Sequence, residues 1–156
     1  MKAIRSCALV ASLVLAPILF ANVPDDPKFT PLAPLPIHAG TTLNIVDALA
    51  SRHYISTTLD DRLSERIYDA YLEDLDPSRS YLLASDLAEF AQYRTTLDNT
   101  LQQGDVSAAF IIFNRYNQRL IDRSENVVAM IDKGIDQFDF TIDESLPVER
   151  KDEPWA

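Results

Sequence analysis

The chain has 156 residues, with 24 acidic against 14 basic side chains and a formal net charge of −10. That size suits one domain with a single core. The acidic balance excludes a phosphate-tracking nucleic-acid binder, which needs clustered Lys and Arg. Three glycines, and nine prolines of which Pro77 alone falls between Leu43 and Gly134, argue against a loop-built or all-β design and for an all-α centre.

Residues 1–21 read as a signal peptide. Lys2 and Arg5 form a basic start, Cys7 to Phe20 an apolar run, and Ala21 a small residue at the cut. The run is short for a membrane span, which takes about 20 residues, so no stable membrane insertion is expected after cleavage. Removing Lys2 and Arg5 takes the charge from −10 to −12 and removes the one cysteine. A periplasmic protein without disulfides is the expectation, held together by packing.

Residues 22–41 form a Pro-rich, extended lead-in. Thr41 and Thr42 offer a cap for a first helix from Thr42 to Tyr54, with Leu43, Val46, Leu49, Ala50 and His53 at helical spacing. Thr58 caps a second helix whose stripe is Leu63, Ile67, Tyr71 and Leu75, widened by Tyr68 and Leu72. Asp76 ends it, because Pro77 disfavours α geometry in the residue before it.

From Leu75 to Leu87 the chain turns while carrying Tyr81, Leu82 and Leu83 in a row. Such a turn must bury side chains, so it predicts a packed elbow. Ser85 caps a third helix running through Leu87, Phe90, Ala91, Arg94, Leu97 and Leu101. Gly104-Asp105 closes it and caps a fourth helix from Val106 to Lys133, with Gly134 at its stop. Four helices over residues 42–134 therefore make the domain, and residues 135–156 an extended tail. In that tail Phe138, Phe140 and Ile142 alternate with polar residues, as a short strand or extended segment packing over the helices does.

Chemistry is sparse. His38 and His53 lack the converging ligands of a metal site. Ser78, Ser80 and Ser85 lie far from any glycine turn that could build an oxyanion hole, with Gly40 and Gly104 the nearest glycines. Asp60 with Asp61, Glu73 with Asp74 and Asp76, and Asp143 with Glu144 read as solvated carboxylates, not acid–base pairs. No catalytic, cofactor or metal residue is assigned. Two features point to contacts instead. Phe110-Ile111-Ile112-Phe113 is apolar around the whole helix, so Ile111 and Ile112 are expected to bury against something beyond the four helices. Arg115, Arg119 and Arg123 line one helix face and are expected to pair with acids on a neighbouring helix.

The run from Arg62 to Phe90, through Leu75-Asp76-Pro77-Ser78-Arg79-Ser80-Tyr81-Leu82-Leu83, resembles the N-terminal helical domain of tail-specific proteases, the periplasmic C-terminal processing peptidases. Phe138-Asp139-Phe140-Thr141 and Glu153-Pro154-Trp155 are similar to the segments downstream of those helices in that family. The resemblance implies a non-catalytic scaffold. A PDZ domain that captures apolar C-terminal tails and a serine–lysine dyad that cleaves them lie downstream in such proteins, and no position here matches either. It implies as partners the protease body of the same polypeptide, an adaptor lipoprotein, and protein substrates through the parent, with the chain itself a fragment. The alternative is a complete small periplasmic helical protein that binds a protein partner.

Overall fold

The computed structural model describes residues 29–52, 58–134, 136, 138–143, 145, 147 and 150–155. The expected signal peptide, the first part of the lead-in, and His53 and Tyr54 lie outside these. The fold is all-α: α1 (Pro36–Arg52), α2 (Asp61–Leu75), α3 (Ala84–Phe90), α4 (Leu97–Gln102) and α5 (Ser107–Asp132). A 3₁₀ turn at Ala91–Tyr93 follows α3. No helix among the described residues is long and apolar enough to cross a membrane.

Four helix boundaries differ from expectation, three for a local reason and one through a contact about 30 residues away. The first helix starts at Pro36, not Thr42, and so takes in the end of the Pro-rich stretch. Proline is at home in a first helical turn, where its missing N–H costs nothing. His38 completes the start: its Nδ1 accepts the Leu35 N–H at 3.0 Å, and its own N–H donates to the Leu35 carbonyl at 2.9 Å. The second helix is capped by Asp60, whose carboxylate accepts the Leu63 N–H at 2.9 Å. Thr58 is not the cap.

The third helix is two. Ser64 of α2, wholly buried, donates its hydroxyl to the Arg94 carbonyl and accepts the Leu97 N–H, both at 2.9 Å. Those backbone groups are taken out of the helical ladder, so the chain breaks and restarts. Ser85 does not cap α3 either. Leu83 stands at that position, and the Asp86 carboxylate reaches back to its N–H at 3.0 Å.

The core comprises Tyr68 and Leu72 of α2, Leu82 of the elbow, Phe90 of α3, Leu97 of α4, and Ala108 and Ile112 of α5. Each large apolar side chain buried this fully contributes about 1.5–3 kcal/mol relative to exposure. Gly104 lets α1 pack on the end of α4. Its φ is +75°, and a Cβ there would sit 3.0 Å from the Ala39 carbonyl oxygen and 3.3 Å from the Leu43 side chain. The backbone geometry and the close approach both favour glycine.

The aromatic tail does not pack over the helices. Phe140 is 77% exposed and Ile142 58%, with the rings of Phe138 and Phe140 6.1 Å apart, and the described residues contain no strand. Trp155 behaves differently. It returns to the core cluster beside the elbow.

Candidate functional site: the elbow and the face of the long helix

The elbow is built around a carboxylate. Asp76 is 1% exposed, although its sequence neighbourhood suggested a solvated acid. Its Oδ1 accepts the Ser80 N–H at 2.9 Å, and its Oδ2 accepts those of Tyr81 and Leu82 at 2.9 and 3.0 Å. The three donors compensate the burial of the charge, which would otherwise be costly. They also curl the backbone so that Leu82 drops fully into the core. Arg79 takes a left-handed conformation, φ +47°, to complete the curl, at a cost of about 1 kcal/mol or more for a side chain of this type. From there its guanidinium lies 5.2 Å above the Trp155 ring and donates to the Glu153 carbonyl, which ties the tail to the turn.

The arginine row of α5 grips the other side. Arg119 forms a two-pronged pair with Asp86, Nε to Oδ2 and an Nη to Oδ1, both at 2.9 Å. Arg115 reaches Asp86 at 2.6 Å and Glu89 at 2.9 Å. Arg123 donates to the Ser80 carbonyl and lies 5.5 Å over the Tyr81 ring, which in turn meets Tyr116 edge-on at 5.6 Å. Two of the three arginines thus pair with acids on a neighbouring helix, as expected. The third binds backbone.

Asp86 is only 1% exposed. Burial alone raises its pKa, but hydrogen bonds from Arg119, the Leu83 N–H and Arg115 outweigh that and hold it at about 2. The same bonds raise the pKa of Arg115 and Arg119. The charges stay on throughout the physiological range. These hydrogen bonds of Asp76, Asp86 and Ser80 all hold the elbow together.

The apolar quartet divides. Ile112 is 1% exposed and belongs to the chain's own core, so no outside partner is needed to cover it. Ile111 faces outward at 43% exposure. Phe110 and Phe113 are half-buried and line a cleft of about 270 Å³ with Leu32, Tyr71 and Ala109. Phe110 also stacks on His38 at 5.4 Å between ring centres.

Sequence reasoning passed over the roles of Asp76, Asn114 and Trp155. Asp76-Pro77-Ser78 did carry a signal, since an Asp before a turn commonly binds backbone N–H groups a few residues on. Asn114 and Trp155 act across 82 and 76 residues of sequence respectively, through Leu32 and Arg79. Local pattern does not show that.

Residues 45–156 match the model of the tail-specific protease N-terminal domain. The chain belongs to that family. A curated relative, the tail-specific protease of Haemophilus influenzae, is 41% identical over 86 residues, 54% of this chain. The match covers only 12% of that relative, so this tail-specific protease N-terminal domain corresponds to a small part of the longer protein.

Proposed function

We propose that the chain is a non-catalytic scaffold within a tail-specific protease, with cleavage carried out by a serine–lysine dyad elsewhere in the same polypeptide. The observation that carries this is the family match over residues 45–156, which begins within α1 and takes in α2 to α5. The elbow's use of its polar groups for architecture supports the scaffold role: Asp76, Asp86 and the three arginines hold elements together. The parent degrades periplasmic proteins that present apolar C-terminal tails, and the basic-then-apolar residues 1–21 direct it across the inner membrane. Its partners are the PDZ and protease domains of the same polypeptide and an adaptor lipoprotein. Ile111, with the rims of Phe110 and Phe113, is the part of the quartet left for such a contact.

The test compares the entire polypeptide with this chain alone, each incubated with a reporter protein ending in an apolar tail. Tail-dependent cleavage by the entire protein and none by the chain alone is the expected result. Inhibitor-sensitive cleavage by the chain alone overturns the scaffold reading. Failure of the entire protein to distinguish an apolar from a charged tail overturns the protease reading.

A further inference from the structure

The extended residues 31–35 do not merely precede α1; they are held on the side of α5 by their backbone. Asn114 accepts the Leu32 N–H at Oδ1 and donates from Nδ2 to the Leu32 carbonyl, both at 2.8 Å. A side-chain amide that pairs with both polar groups of one residue reads an extended strand regardless of its side chain, as a neighbouring β-strand does. Next to this clamp lies the apolar cleft of Tyr71, Ala109, Phe110 and Phe113, with Leu32 as its fifth wall. Pro31 and Pro34 lack N–H groups and keep the segment extended, which leaves the amides of Leu32 and Ala33 between them, and it is Leu32 that Asn114 reads.

The hold is light. Leu32 is 53% exposed and Leu35 59% even when docked. The segment therefore buries little apolar surface, and the backbone clamp is its main tether. The floor of the site stands without the segment. Tyr71 is fixed by its hydroxyl bond to the Ala109 carbonyl at 3.0 Å, and the facing side of α5 is anchored by Ile112 in the core.

We propose that Asn114 and the adjoining cleft are a peptide-docking site whose ligand class is an extended, proline-flanked leucine segment. Residues 31–35 are its resident ligand, held in cis and replaceable by a like peptide in trans. Tethering gives the resident segment a high effective concentration, so an added peptide meets strong competition in the unaltered chain.

The experiment uses the full chain carrying Leu32→Pro, which deletes the N–H that Asn114 accepts and leaves α5 untouched. Its helical content is checked by circular dichroism. A fluorescent peptide with the sequence of residues 30–36 is titrated and read by anisotropy. Saturable binding is expected, at least tenfold tighter than to the unaltered chain, and about tenfold weaker again when Asn114→Ala is added, since two hydrogen bonds are lost. A second measurement covers the case in which Leu32→Pro misfolds. In the unaltered chain, millimolar peptide is expected to speed hydrogen exchange of the Leu32 amide several-fold. No saturable binding to the folded Leu32→Pro chain overturns the proposal, as does binding indifferent to Asn114→Ala. If Leu32→Pro misfolds, unchanged Leu32 exchange in the unaltered chain overturns it.

Discussion

The two halves of α5 are equally helical and differently held. From Ser107 to Asp122 the helix sends Ile112 into the core and Arg115 and Arg119 onto Asp86. From Arg123 to Asp132 every residue is exposed, including Val127 at 47%, Val128 at 56%, Met130 at 49% and Ile131 at 61%. A helix of 26 residues is about 39 Å long, longer than the short helices it packs against. The difference teaches that helical periodicity reports helix formation, while burial depends on whether an elbow, a cap or another helix reaches that turn. Among the described residues, the apolar side chains of the far half take no part in the core cluster.

Substitutions can break that contrast, beginning with the largest effect. Ile112→Ala should lower unfolding free energy by about 2–5 kcal/mol, whereas Ile111→Ala one position away should cost under about 1 kcal/mol. Urea titration of both variants measures the gap, and equal costs would mean that Ile112 does not seat α5 in the core. Asp76→Ala leaves three N–H groups without their acceptor, that of Leu82 buried and those of Ser80 and Tyr81 partly so, and should cost about 3 kcal/mol. Because Trp155 is the sole tryptophan and rests beside the elbow, its emission should also shift to the red in that variant as the tail comes free.

Acid should loosen the near half selectively. Asp86 has a folded pKa of about 2 against an ordinary 3.8, so its contribution is complete above the ordinary value and is lost as pH falls through the folded one. The shift corresponds to about 2 kcal/mol, disappearing between roughly pH 5 and pH 2. Denaturant melts across that range should show the loss, and Asp86→Asn should remove this part of the pH dependence. Last and smallest, Ile131→Ser in the far half should change stability by no more than about 0.5 kcal/mol. A larger loss would reveal packing that the exposed helix end does not have.

Much of the fold was legible because it is written in local pattern. The stripe Leu63, Ile67, Tyr71, Leu75 marked α2, Pro77 marked its end, and Gly104 and Gly134 marked two stops that the structure places at φ +75° and +105°. The arginine spacing also announced its acidic partners. What misled was local as well. Pro36 looked like part of an extended lead-in but opens α1, and Ser85 and Thr58 looked like caps where Leu83, aided by Asp86, and Asp60 stand. Several residue types suit each of these positions, and neighbouring backbone bonds choose among them.

The sequence by itself determined the all-α class, the helix-turn-helix elbow and the resemblance that identifies the family. These follow from periodicity, turn chemistry and a long run of matching residues. Only the tertiary structure decided that Asp76 is the buried hub of the elbow, that Ser64 splits the third helix in two, that Ile112 is core while Ile111 is not, and that Asn114 clasps Leu32. The Asp76 bonds run only four to six residues along the chain, but its burial and the other three features depend on elements tens of residues away, or on how far a neighbouring element extends. Distance in space, not order along the chain, sets whether a charge is solvated or a leucine is held.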